Sequence, residues 1–143
     1  MGIRIVHQLL VSRADPMYGF LLQGGDNYTY DRWANEIAQQ FWLGWDRIPF
    51  FHGPLYPYFL SLIYLRFGHH HDPAAWTQRL LGAVSVVLIF YLARRIFGKK
   101  AGWLAGLAAA LCPLSLFYEG ELLVETLLVF LHLSTLCLFI EAA

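Results

Sequence analysis

The stretch Leu80-Leu-Gly-Ala-Val-Ser-Val-Val-Leu-Ile-Phe-Tyr-Leu-Ala-Arg-Arg-Ile-Phe97 decides the class of fold. It carries no charge before Arg94. At about 1.5 Å per residue it extends roughly 27 Å as a helix, close to the thickness of a hydrocarbon core. The next apolar run, Gly102 to Tyr118 (GWLAGLAAALCPLSLFY), has no charged residue, and its Gly and Ala residues are of the kind that let membrane helices approach closely. Pro113 predicts a kink there. Leu122 to Ile140 forms a third run, interrupted only by Glu125 near one end and His132 near the middle. The expected fold is an all-α, polytopic membrane protein with about three transmembrane helices, at 80–97, 102–118 and 122–140.

Composition agrees with that reading. Hydrophobic residues make up 58% of the 143, aromatic residues 17% and charged residues only 14%, which is not the balance of a soluble domain. The ten Lys and Arg equal the ten Asp and Glu. With no basic surplus to neutralise a phosphate backbone, nucleic acid is excluded as a partner. Cys112 and Cys137 lie inside apolar runs, where a thiol behaves as a small hydrophobe, and their spacing resembles neither a metal site nor a disulfide framework. Met1 to Val11 holds one arginine and a short apolar stretch without a cleavage site, so a signal peptide of the usual form is not expected. The abrupt ends predict a fragment.

Orientation follows from the connection Arg94-Arg95-Ile-Phe-Gly-Lys99-Lys100, because clustered Lys and Arg beside span ends are retained on the cytoplasmic side. The run at 80–97 is then expected to go from outside to inside and the next to return. This puts Glu119, Gly120 and Glu121 on the non-cytoplasmic face, together with a loop over about residues 20–78.

Within that loop, Tyr28 to Leu43 sets Arg32, Asn35, Glu36, Gln39 and Gln40 at helical spacing on one side, with Trp33, Ile37, Ala38 and Phe41 opposite. This predicts an amphipathic surface helix that begins after Gly24-Gly25, with Asp26 or Asn27 capping its N-terminus. Pro54 to Phe67 is apolar but short, about 21 Å as a helix. It reads as a helix lying at the interface or tucked against the bundle, its tyrosines suited to the headgroup level, with a short true span as the other possibility.

Several side chains are candidates for chemistry. A carboxylate at the head of a helix on the outer face can act as a general base, so Asp26 is either that base or a helix cap, and the two roles are compatible. Asp31, in the first turn, suits the helix dipole. Arg79 can meet a lipid phosphate as a bidentate donor or anchor a helix end. Glu119 and Glu121 lie in a second outer connection. Glu125, one turn into the apolar run, needs a partner, a cavity or an interfacial position. His52 can bind a donor phosphate or a divalent metal, or be an ordinary loop histidine. His69 to His71 reads as solvated loop, since consecutive side chains do not converge on one ion. His132, in mid-span, reads as a helix-to-helix hydrogen-bonding residue.

The order Asp26-Asn-Tyr-Thr-Tyr30-Asp-Arg-Trp33-Ala34 resembles the first outer loop of GT-C glycosyltransferases related to protein O-mannosyltransferases and lipid A aminoarabinose transferases, the glycosyltransferase family 39 type. In that pattern an Asp, usually followed by Glu, precedes a Tyr by four residues and an Ala by eight. Here Asp26, Tyr30 and Ala34 match and Asn27 departs. The likeness continues through Phe51-His52-Gly-Pro54-Leu-Tyr-Pro57, Phe67-Gly68, Gln78-Arg79-Leu80 and Ala93-Arg94-Arg95-Ile-Phe97-Gly98.

The resemblance implies an integral, multi-pass protein of the plasma or inner membrane that takes a sugar from a polyprenyl-phosphate carrier on the non-cytoplasmic side. Asp26 would be its catalytic residue, and Tyr30, His52, Arg79, Glu119 and Glu121 would contact substrate. No metal ligands are assigned, although a divalent metal is a possible cofactor. The acceptor is left open, and the fragment, taken as the N-terminal part of the membrane domain, is expected to be inactive alone. The rival reading is a non-catalytic transport or assembly subunit, in which Glu125 and His132 line a polar path. Clean spans weigh against it.

Overall fold

A computed structural model describes residues 1–19, 21, 23–39 and 53–142. Among the described residues seven helices follow in order: α1 Gly2–Ala14, α2 Asp26–Gln39, α3 Leu55–Phe67, α4 His71–Phe97, α5 Lys99–Leu111, α6 Pro113–Tyr118 and α7 Glu125–Ala142. No strand occurs among the described residues. Of these helices, α4 and α7 are long and apolar enough to cross a membrane. The protein is an all-α membrane protein.

The helix α4 begins nine residues before the apolar run that announces it, at His71 rather than Leu80. Its polar first turns are built for a helix start: Asp72 favours the positive end of the dipole, and Pro73 falls where a missing N–H costs nothing. With 27 residues α4 is about 40 Å long. Its last turn carries Arg94 and Arg95, matched to the negative end of the dipole. Gly98, at φ +92°, then reverses the chain in a conformation that only glycine adopts freely.

The returning α5 packs along α4 through Gly102 and Gly106, one turn apart. A Cβ on Gly102 would lie 2.7 Å from the Cβ of Arg94, and one on Gly106 would lie 3.1 Å from that of Phe90. This is small-residue packing of the membrane kind, with the Trp103 ring set edge-on to Phe90 at 5.0 Å.

The run 102–118 is not one helix. Cys112 takes an extended conformation (φ −66°, ψ 112°), ending α5 and starting α6 at Pro113. The cause is local: a residue before proline is pushed out of the helical region, and proline itself is favoured at a helix start. The expected kink is therefore a full break. An apolar cavity of about 320 Å³ lies beside it, lined by residues including Ser85, Ala109, Cys112, Glu125 and Val129.

The main core joins α2 and α3 to the head of α4, to the turn before α7 and to the first turn of α7: Tyr30, Ala34, Tyr56, Leu60, Ile63, Tyr64, Ala74, Leu122 and Leu127. As the sequence predicts, α2 presents Arg32 and Gln39 outward and buries Trp33, Ala34 and Ile37. The tyrosines of α3 correct the expectation of headgroup anchors, because Tyr56 and Tyr64 are buried. Their hydroxyls are satisfied inside the protein, Tyr56 donating to Gln78 Oε1 at 2.8 Å and Tyr64 to Asp31 Oδ1 at 2.6 Å.

Candidate functional site

The chemistry-bearing side chains gather at one end of the bundle, where α1, α2 and α3 meet the head of α4 and the turn 119–124. The opposite end carries Arg94 to Lys100. Two polar groups occupy the first end, one more open and one buried, and the backbone of the turn joins them.

The more open group is built on the start of α2. Asp26 is the first residue of that helix and is exposed. Asn27 Oδ1 accepts the Tyr28 N–H at 2.8 Å, taking up one of the free amides of the first turn. The Asn27 side chain also hydrogen-bonds Glu121, tying α2 to the turn before α7. Burial pushes the Glu121 carboxyl above its ordinary range, and the bond from Asn27 partly opposes that. Tyr30 lies under this group, its phenol raised by burial first and then by the charges of Asp26 and Glu125. Its ring meets that of Tyr56 edge-on at 5.0 Å. Gln78 accepts from Tyr56 and donates to the Glu121 carbonyl oxygen at 2.6 Å, so α3, α4 and the turn are fastened together beneath the open group.

The buried group centres on Glu119. Arg4 of α1 donates to it twice, Nε to Oε2 at 2.8 Å and Nη2 to Oε1 at 2.7 Å, with both side chains almost wholly buried. This is the bidentate geometry that suits a guanidinium and a carboxylate. Ser115 donates to Oε1 as well. Gly82 makes room for the pair, since a Cβ there would fall 2.1 Å from Glu119 Oε1. Arg79 is fully buried beside it, donating Nε to Gln8 Oε1 and placing Nη1 3.3 Å from His7 Nδ1. Burial and the neighbouring Arg79 charge push His7 below the usual imidazole value. Gln8 in turn donates to the Tyr18 hydroxyl, which donates to Asp72 at 2.7 Å. Burial and then the Asp72 bond raise the Tyr18 phenol to about 12.

Five of the six sequence-nominated site residues thus converge on this end, in unequal settings. Asp26, Tyr30 and Glu121 share the open group, while Arg79 and Glu119 are buried and hold α1 to the bundle. His52 lies outside the described residues. Among the described residues, no three His, Cys, Asp or Glu side chains are grouped so as to hold a metal ion.

Other expectations change. Asp31 is buried and accepts from Tyr64, with His69 Nε2 2.9 Å away, so it is a packing carboxylate and His69 is more than solvated loop. The His71 ring meets that of Tyr18 edge-on at 4.8 Å. His132 Nδ1 contacts the Leu128 carbonyl of its own helix at 2.7 Å, where a helix-to-helix bond was expected. Sequence reading overlooked Arg4 and Gln8, and took Gln78 only as part of the Gln78-Arg79-Leu80 likeness. The first two had a usable signal, a polar stripe at i, i+3, i+4 (Arg4, His7, Gln8) inside an aliphatic helix.

An all-helical membrane protein with carboxylates and tyrosines collected beside one end of its spans is the class defined so far. Residues 51–143 match the family model described as dolichyl-phosphate-mannose-protein mannosyltransferase. The chain belongs to that family of membrane glycosyltransferases. The matched segment holds α3 to α7, and the Asp26 motif precedes it. No curated protein and no solved structure matches the chain.

Proposed function

We propose that this chain forms part of the active face of a glycosyltransferase that moves a sugar from a polyprenyl-phosphate carrier to an acceptor hydroxyl on the non-cytoplasmic side. Asp26 is the base. The acceptor O–H gives its proton to the Asp26 carboxylate, the acceptor oxygen bonds the anomeric carbon from the side opposite the phosphate, and the carbon–oxygen bond to the polyprenyl phosphate breaks. The carrier phosphate leaves with the bonding electron pair, and the anomeric configuration inverts. The four-residue basic cluster Arg94, Arg95, Lys99 and Lys100 at the far end supports the orientation.

The observation that carries this reading is the setting of Asp26, an exposed carboxylate at the first residue of α2, beside a turn fastened to the spans by Asn27, Glu121 and Gln78. A base must be held rigidly yet be open to an acceptor. Glu121, whose proton affinity burial has raised, is placed in this reading to contact the acceptor or the sugar. Arg79 and Glu119 act in it as supports.

The test uses membranes carrying the full reading frame and a panel of radiolabelled polyprenyl-phosphate sugars, comparing wild type with Asp26→Asn at matched expression. Transfer that disappears in Asp26→Asn supports the proposal. Transfer that survives leaves Asp26 a structural residue, and no transfer from any donor favours a transport or assembly role. An arm with EDTA reads whether a divalent metal takes part.

A further inference from the structure

Gln78 is fully buried near the head of α4, beside a core that is otherwise aromatic and aliphatic. Burying an amide is unfavourable unless its oxygen and its nitrogen are hydrogen-bonded. Here both are, and to different elements: Oε1 accepts from the Tyr56 hydroxyl of α3, and Nε2 donates to the main-chain oxygen of Glu121. That oxygen also accepts the Leu123 N–H at 2.9 Å. The next side chain, Leu122, is 1% exposed and belongs to the core. The peptide between Glu121 and Leu122 is thus held twice, by an apolar side chain in the core and by the Gln78 amide on its oxygen. With that peptide fixed, the Glu121 side chain is directed to the start of α2, where Asn27, next to Asp26, meets it. At its other end Gln78 fixes Tyr56, whose ring stands edge-on at 5.0 Å to Tyr30, one turn after Asp26 on α2.

We propose that Gln78 is a positioning residue for glycosyl transfer: touching no substrate itself, it sets where the Glu121 carboxyl stands relative to the Asp26 carboxylate, and through that the rate of the chemical step. The inference rests on the reading of Asp26 and Glu121 given above. A side chain at position 78 must offer an acceptor to Tyr56 and a donor to Glu121 at once. Glutamine does so at any pH and methionine, of similar length, never does. Glutamate does so only when protonated, one oxygen accepting and the O–H donating, because a carboxylate is acceptor-only.

The test compares wild type, Gln78→Met and Gln78→Glu in membranes carrying the full reading frame, with the radiolabelled polyprenyl-phosphate sugar that wild type turns over. Gln78→Met is expected to lower kcat on the order of ten- to a hundredfold with the donor KM within about twofold, the cost of misplacing a reacting group by about 1 Å. Relative to wild type at each pH, Gln78→Glu is expected to resemble Gln78→Met in alkali and to recover on acidification, which a misfolded variant does not do. A Gln78→Met kcat within about twofold of wild type overturns the proposal, as does a Gln78→Glu loss that is the same at every pH. A second readout needs no activity. In a chain with Asn27→Cys and Glu121→Cys, and with Cys112 and Cys137 replaced by Ala, a short bis-methanethiosulfonate reagent is expected to join the pair, and adding Gln78→Met is expected to slow the joining several-fold. An unchanged joining rate overturns the proposal even where transfer is found. Slowed joining, with no transfer by wild type from any donor, overturns instead the reading of Asp26 on which the catalytic half of the proposal rests.

Discussion

Replacing Arg4 by Met keeps the side-chain length and removes the charge that holds Glu119. The carboxylate is left 1% exposed, against Gly82 and with Ser115 as a neutral donor. Breaking a buried pair by removing one partner costs about 3–5 kcal/mol when the remaining charge stays uncompensated, and the buried Arg79 guanidinium beside Glu119 sets the expectation here at the lower end, about 3 kcal/mol. At about 1.4 kcal/mol per factor of ten, the attachment of α1 should weaken by roughly two powers of ten. Replacing both partners by apolar residues of similar size is often close to neutral. The double variant Arg4→Met/Glu119→Leu should therefore recover part of the loss, the remainder coming from buried Arg79, which loses the neighbouring Glu119 charge. Trypsin cleavage after Arg13 in bicelles, followed with time and backed by SDS titration of the four proteins of the cycle, reads both effects. Arg4→Met within about 0.5 kcal/mol of wild type, or a double variant as damaged as the two singles added, would refute the view that this pair fastens the helix.

Three further outcomes are expected. Tyr64→Phe removes the 2.6 Å donor to buried Asp31 and should lower stability by about 1.5–3 kcal/mol, read by thermal unfolding in detergent; an unchanged midpoint would show that His69 alone satisfies the carboxylate. Gly82→Ala sets a methyl 2.1 Å from Glu119 Oε1, so it should lower the midpoint and release α1 to trypsin, while Gly2→Ala, where nothing lies within 4 Å, should not. His7 is held below the usual imidazole value by burial and by Arg79, so the folded protein favours neutral His7: that stability is present above pH 6.5 and is lost as pH falls through the depressed value. Tryptic release of α1 should then rise on acidification, and the part that His7 contributes should vanish in His7→Gln.

The span class of the fold was legible because apolar length is a one-dimensional property: the uncharged run from Leu80 to Ala93 announces itself without knowledge of neighbours. The head of α4 was not, since His71 to Arg79 is polar in sequence and becomes helical only by its start signals and by packing on α3. Proline at 113 gave the place of the interruption but not its degree, which depends on Cys112 going extended. Among site residues, the position of Asp26 at a helix start followed from Gly24-Gly25 and the amphipathic period of α2. The settings of Arg79 and Glu119 did not, because their partners lie 71 and 115 residues away in the chain. The tyrosines of α3 misled for the same reason. A phenol suits an interface or an internal acceptor equally well, and only the fold supplies Gln78 and Asp31.

The length of α4 has a mechanical meaning. A rod of about 40 Å in a hydrocarbon layer of about 30 Å leaves some 10 Å standing clear of the acyl chains. That projecting part carries the contacts to Tyr56, Tyr18 and the Glu121 turn. The span and the platform for the polar groups are one stiff body, with no hinge between Asp72 and Arg95. Any tilt that the bilayer imposes to match its thickness therefore swings the platform by the same angle, and lipid composition becomes a control on how the carboxylates are presented to whatever approaches along the membrane surface.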